Sequence, residues 1–242
     1  MNDSTMTRLG ATLARRQASG PAGVALYDTL YEAIVQGALP PGQALSEADL
    51  SKRLSTSRQL VREAFIKLAE RKLLSIVPQR GTFVIRISPR RVLEAQWVRE
   101  SIETRIAEEA ARAANPELVT SLRGLIARQR AVPANDYPQF QELDDAFHRA
   151  LALSVGRAYA WEIVEQSKTQ TDRVRYLSLE NATSFDLLAE QHGAIADAIE
   201  AGDPARAAGA VSSHLQVIVT TLPRIVRDHP EIFADAGASG DA

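Results

Sequence analysis

Three of the four histidines in the chain, with one aspartate, carry the types and spacing of a cation site. Asp144 and His148 stand four residues apart in "ELDDAFHRAL", so on a helix they share one face. Phe147 and Leu151 flank them and turn that face toward a core. His192, in "LLAEQHGAIADAI", is level with Leu188, Ile195 and Ile199, and His214, in "AVSSHLQVIV", also sits among apolar neighbours. Each polar group placed on an inward face costs free energy unless it is partnered. Alone, any of them reads as a hydrogen-bonded core histidine or a helix-surface charge. Together they form a donor set for a borderline divalent cation such as Zn, Ni or Mn, which ligand type alone does not separate. His229, before Pro230, has no such setting.

A second chemistry lies in "SRQLVREAF", residues 57–65. Arg58 and Arg62 form an i, i+4 pair, with Cβ atoms about 5–6 Å apart on a helix. Val61 and Phe65 claim the core face, so the two guanidinium groups project outward together near the helix start. An arginine there can bond bidentately to guanine in a major groove, for about 1–3 kcal/mol of discrimination. Ser57 and Gln59 at the same end could reach phosphate or base, and Lys52 and Arg53 are weaker candidates for phosphate contacts. The plainer alternative is a solvated charged face, with Arg62 paired to Glu63 or Glu70.

The elements that must position these residues divide by charge. Residues 1–91 hold 14 Lys/Arg against 7 Asp/Glu, a net of +7, whereas residues 92–242 hold 14 against 23, a net of −9. The overall charge of −2 conceals a basic half suited to a polyanion and an acidic half suited to something else. The chain has no cysteine, which excludes disulfides, thiolate ligands and cysteine nucleophiles and is compatible with a cytoplasmic location. No apolar run approaches the roughly 20 residues that span a bilayer, so no membrane partner is expected.

In the basic half, Leu26, Leu30 and Ile34 mark a first helix that stops at Pro40-Pro41-Gly42. Ser46 and Ser57 are N-caps for two more, over Leu50 and Leu54 and over residues 58–71. Two short apolar runs, Leu74–Val77 and Thr82–Ile87, then flank Pro78-Gln79-Arg80-Gly81, a hairpin with a basic tip. Three helices and a hairpin make a winged helix-turn-helix, with Arg80 and Gly81 placed for the minor groove or the DNA backbone. The acidic half shows helical periods over 89–114, 116–131, 136–155, 158–178, 183–201 and 203–227, with a break among others at Asn181-Ala182, and no strand alternation. It reads as an antiparallel helical bundle. The predicted organisation is mainly α: a disordered arm over 1–22, a winged helix-turn-helix over 23–88, a helical bundle over 89–228, and a tail over 229–242 ending in a disordered "DAGASGDA".

The stretch "GALPPGQALSEADLSKRLSTSRQLVREAFIKLAERKLLSIVPQRGTFV" resembles the winged helix of the GntR family of bacterial transcription regulators. Its G-x-L-x-P-G turn, L-S-E-x-x-L, S-R-x-x-V-R-E-A and R-G-x-F-V elements all match. Arg58 and Arg62 fall on the recognition arginines, and Arg80-Gly81 on the wing tip. Gln59-Leu60 stands where this branch usually has Thr-Pro, so the operator sequence does not carry over. Likewise "VRESIETRIAEEAA", "ELDDAFHRAL", "EQHGAIADAIEAGD" and "SSHL" resemble the FCD ligand-binding domain of the FadR-type branch. Asp144, His148, His192 and His214 match its metal ligands. Gln191-His192 replaces a frequent Glu-His and leaves the ligand in place. The resemblance implies a homodimeric regulator, more commonly a repressor than an activator, on a near-palindromic operator in double-stranded DNA. Its effector would be a small organic or sugar acid that chelates the metal, its anionic end meeting an arginine, for which Arg99 and Arg175 are the candidates. Two rivals remain at this stage: a metal-dependent hydrolase, against which stands the lack of an HExxH-type helix, and a constitutive DNA-binding protein whose metal is purely structural.

Overall fold

In a computed structural model, which describes residues 3–179 and 184–234, the chain divides into two units. One comprises the chain up to Ser88 together with the segment from His229; the other is Pro89–Asp228.

The first unit contains α1 (Asp3–Gln17), α2 (Ala22–Val35), β1 (Ala44–Leu45), α3 (Glu47–Arg53), α4 (Arg58–Glu70), β2 (Leu74–Val77) and β3 (Gly81–Val84). The serine caps set the starts of the two helices that matter most. Ser46 Oγ accepts from Asp49 N at 3.3 Å, and Ser57 Oγ from Leu60 N at 3.1 Å, each occupying a backbone donor that the first helical turn leaves open. Val61, Ala64, Phe65 and Leu68 of α4 are buried against Leu26, Leu30 and Ile34 of α2 and Leu50 of α3, so α4 turns its remaining face outward. The wing is a three-stranded antiparallel sheet in the order β1-β3-β2 rather than a lone hairpin. Ala44 and Leu45 pair with Phe83 and Thr82, a strand too short to leave a periodic signal. The β2–β3 turn is closed by Arg80 N on Val77 O at 3.0 Å. Pro78 suits its first central position, and Gln79 takes φ 61° at the second. Gly81 follows at φ 110°, a conformation that side-chain-bearing residues rarely adopt.

Three sequence expectations are corrected by this unit. Residues 3–17 form a helix, not a disordered arm. Met6, Leu9 and Leu13, at i, i+3 and i+7, are buried in the same core as Leu26 and Leu30. The segment from His229 also returns to this unit as far as Ala234. A 3₁₀ turn (Pro230–Ile232) is followed by Phe233, which bridges to Ile87. Ile87 N donates to Ile232 O at 3.0 Å, and Ala234 N donates to Ile87 O at 2.9 Å. Ile87 is therefore not part of β3, which ends at Val84. The "DAGASGDA" stretch and the break at Asn181-Ala182 lie outside the described residues.

The second unit comprises α5 (Pro89–Ala113), α6 (Pro116–Arg130), α7 (Tyr137–Ser154), α8 (Ala158–Ser167), α9 (Thr169–Leu179), α10 (Phe185–Glu200), α11 (Pro204–Leu215) and α12 (Val217–Asp228). Asn115, Asp136, Ser184 and Asp203 cap α6, α7, α10 and α11 with side-chain oxygens. The long α5 packs against α7, α8, α9, α10, α11 and α12. Ala107, Ala110 and Ala111 on its inner face let the neighbouring helices come close, and Ile106 joins Leu122, Phe147, Leu151, Ile195, Ile199 and Val211 in one apolar core. Each of two predicted helices is split. The 158–178 segment breaks at Lys168 and the 203–227 segment at Gln216. Lys168 is buried at the break, where Asp145 and Asp172 each accept from its ammonium at 2.8 Å. Gln216 Nε2 donates to Glu100 Oε2 on α5 at 2.6 Å. Both are tertiary contacts that the helical period does not contain.

Candidate functional site

Three helices bring four residues to a common point inside the second unit. α7 supplies Asp144 and His148 one turn apart, α10 supplies His192, and α11 supplies His214 just before its end. All four are buried, and one ligand atom from each lies within 4.8 Å of those from the others. His148 Nε2 and His214 Nε2 are 3.3 Å apart, and His192 Nε2 is 3.5 Å from Asp144 Oδ1. The core holds these rings in place: the His192 imidazole stacks on Phe147, with ring centroids 4.2 Å apart.

Burial alone would raise the Asp144 carboxyl. The Arg175 guanidinium, whose Nη1 donates to Asp144 Oδ2 at 2.7 Å, and the three imidazoles together hold it well below the usual carboxylate range. Burial pushes His192 down to about 3 against the pull of Asp144, and takes His214 well below its ordinary value. The carboxylate is thus ionised and these two rings are neutral, the protonation state a cation requires. Among the described residues, Asp144 Oδ1 and His192 Nε2 make no hydrogen bond although both are buried. Buried polar atoms of this kind are costly unless something partners them, and one carboxylate oxygen with three ring nitrogens suits a divalent transition metal.

Both candidate effector arginines lie in this region, and both are engaged. Arg175 is held by Asp144, as described. Arg99 is buried on α5 and donates through Nε to Glu103 Oε1 at 2.8 Å. Burial would raise the Glu103 carboxyl as well; Arg99 and then His148 offset that and bring it down to about 2. Glu103 and Gln129 escaped sequence reading, and Gln191 entered it only as a departure from the family pattern. The i, i+4 spacing of Arg99 and Glu103 was the one available signal. Gln129, near the polar end of α6, gave none.

The predicted reader residues sit at the α3–α4 corner and on the wing. Arg58 is the first residue of α4 and is exposed, as are Gln59, Arg62, Lys52, Arg80 and Gly81. Ser57 Oγ is spent as an acceptor on its own helix, and Gln59 Nε2 donates to Glu63 Oε1 at 2.9 Å. Arg62 pairs with neither Glu63 nor Glu70. Its guanidinium forks onto Glu47 of α3 at 3.0 Å through Nη2 and 3.2 Å through Nε, with its side chain still 60% exposed. Arg53 makes an ion pair with Asp3 of α1, whose own side chain is fully exposed.

Comparison with known proteins covers most of both units. Residues 23–84 match the family of bacterial regulatory proteins described as the gntR family, and residues 94–217 match the FCD domain. The HTH-type transcriptional repressor RspR of Escherichia coli K12 is 35% identical over 216 residues, 89% of this chain and 95% of that protein. The gluconate operon transcriptional repressor of Bacillus licheniformis is 28% identical over 187 residues, 75% of this chain and 76% of that one. The solved structure of E. coli McbR/YncC superposes with a TM-score of 0.69 at 20% identity, covering 86% of this chain and 98% of that chain, which speaks to the fold.

Proposed function

Because the chain belongs to the GntR family of bacterial regulatory proteins and carries an FCD domain, we propose that it is a homodimeric repressor that reads a near-palindromic operator and senses a small carboxylate through a divalent cation. As a family member it is a DNA-binding transcription regulator and not an enzyme. In the second unit Asp144, His148, His192 and His214 hold the cation. Convergence of these four buried donor atoms within 4.8 Å carries this reading.

The charges around the cluster argue for an anionic effector. Asp144 is matched by Arg175 and Glu103 by Arg99, while burial keeps the His192 and His214 rings neutral. A divalent cation adds two positive charges, and the nearby Lys168, Asp145 and Asp172 group supplies at most one negative charge in return. A bound carboxylate restores the balance, which a buried site requires. Four protein ligands also leave one or two positions of an octahedral ion for that group. The B. licheniformis relative, named for a gluconate operon, keeps a sugar acid among the classes to be tried.

In the first unit Arg58, Arg62 and Gln59 at the N-terminal end of α4 face the major groove. Ser57 reaches phosphate through its hydroxyl hydrogen, Arg80 and Gly81 approach the minor groove or backbone, and Lys52 adds a phosphate contact. No helix among the described residues is long and apolar enough to cross a membrane. A second copy is expected on the outward side of α5, where Trp97 is 70% exposed beside Ala208 and Gly209 of α11 and Leu93 is also exposed. The test is a footprint of genomic fragments by the metal-loaded protein, repeated with a panel of organic and sugar acids and with one cation-stripped sample. Protection released by an acid only when the cation is present is the expected result. Protection that no acid alters, with the cation present, would mean constitutive DNA binding with a structural metal.

A further inference from the structure

We propose that Glu103, Gln129 and Gln191 are the positioning residues of the cation site, each holding one imidazole by Nδ1 so that all three Nε2 lone pairs converge with Asp144. This rests on the cation reading above and adds what aims the ligands.

Gln129 gives the clearest case. Its Nε2 donates to the Leu143 carbonyl at 3.1 Å, a group that can only accept. That fixes which way the amide faces and leaves Oε1 toward His192 Nδ1 at 2.8 Å. The acceptor places the ring proton on Nδ1, so Nε2, the atom nearest Asp144, carries a bare lone pair. His148 obeys the same logic with a carboxylate: its Nδ1 lies 2.6 Å from Glu103 Oε2, a close contact, though not an in-line hydrogen bond. The other oxygen of Glu103 is fixed by Arg99, so the carboxylate cannot swing away from the ring. His214 Nδ1 meets Gln191 Oε1 at 3.0 Å, from the residue next to His192 on α10. With each ring's proton on Nδ1, as this proposal requires, His148 Nε2 and His214 Nε2, 3.3 Å apart, have no hydrogen between them. Two lone pairs held that close repel, and a cation between them turns the repulsion into ligation.

The three supports are unequal. A carboxylate behind an imidazole raises its basicity more than a neutral amide does, so His148 is the strongest of the three donors. Losing such an outer partner typically lowers metal affinity by about 10- to 100-fold.

The experiment titrates full-length, cation-stripped protein with Co(II) and with Zn(II) against a chromophoric chelator, recording the visible absorption of bound Co(II). Gln191, which is only half-buried, is the variant of choice because its replacement leaves the core intact. Gln191→Met is expected to weaken binding about 10- to 100-fold and to shift the Co(II) bands. Gln191→Glu, which keeps an acceptor in place, is expected to bind at least as tightly as the parent. Glu103→Gln should weaken binding too, but it also leaves Arg99 without its carboxylate, so Gln191 decides. Parent-like affinity together with an unchanged Co(II) spectrum in Gln191→Met overturns the positioning role. Parent-like Co(II) stoichiometry in His192→Ala would instead overturn the four-ligand site itself, so the two failures are distinct.

Discussion

The two units use charge in opposite ways. At the α3–α4 corner Arg58, Arg62 and Lys52 stand exposed over a mainly apolar core, and the contact between Arg62 and Glu47 is a surface pair. Such pairs contribute little to stability. In the helical bundle Arg99, Glu103, Asp144, His148, His192 and His214 are all buried, and each leans on another. Removing one member of a buried set strands the rest. Substitutions in the first unit should therefore alter binding and spare the fold. In the second they should alter both.

The largest effect expected is from Asp144→Ala. It deletes the only carboxylate among the four proposed ligands and removes the buried acceptor of an Arg175 ion pair. A loss of about 3–5 kcal/mol is expected in denaturant unfolding, with stoichiometric cation binding abolished. A variant as stable as the parent would show that the buried network is not what holds this unit together.

A smaller effect should appear on acidification of the cation-free protein. In the unfolded chain the imidazoles take up protons near pH 6.5, whereas folded His192 resists until about 3 and His214 is likewise held down. Between those values the unfolded state binds more protons, so stability falls as pH falls from about 6.5. Each such imidazole contributes up to about 1.4 kcal/mol per pH unit. Asp144, with its carboxyl also lowered, adds its own loss only below its ordinary range near 3.8. Hydrogen exchange at pH 7 and pH 5 reads the two units separately. Amides of α10 and α11 should lose protection while those of α4 keep theirs, since the first unit buries no histidine among its described residues.

The smallest effect on the fold is expected from Arg58→Ala, with stability within about 0.5 kcal/mol of the parent. Its operator discrimination should nevertheless drop by about 1–3 kcal/mol, read as the ratio of specific to non-specific Kd at one salt concentration. A parent-like ratio would remove Arg58 from base reading and leave α4 a solvated face. That outcome would erase the contrast between the units from the DNA side.

Much of this was legible in the chain. The serine caps, the apolar faces of α2 and α4 and the basic-tipped turn are local, because they depend on residues a few positions apart. The i, i+4 spacing of Asp144 and His148 is local in the same sense. Helix α1 was legible too, in Met6, Leu9 and Leu13, but charge and Gly/Ser content in the arm masked that stripe. Strand β1, at two residues, was too short to register, and the breaks at Lys168 and Gln216 follow from partners far off in sequence.

The sequence by itself determined most of the element types, the charge division and the identities of the four clustered Asp and His residues, since each depends on side-chain chemistry at short spacing. Only the tertiary structure decided that residues 144, 148, 192 and 214 share one point, and which acceptors stand behind the rings. It also sent Arg62 to Glu47 and Arg53 to Asp3. The reason is distance along the chain. Glu103, Gln129 and Gln191 lie 45, 63 and 23 residues from the rings they hold, and no local period encodes a partner that far away.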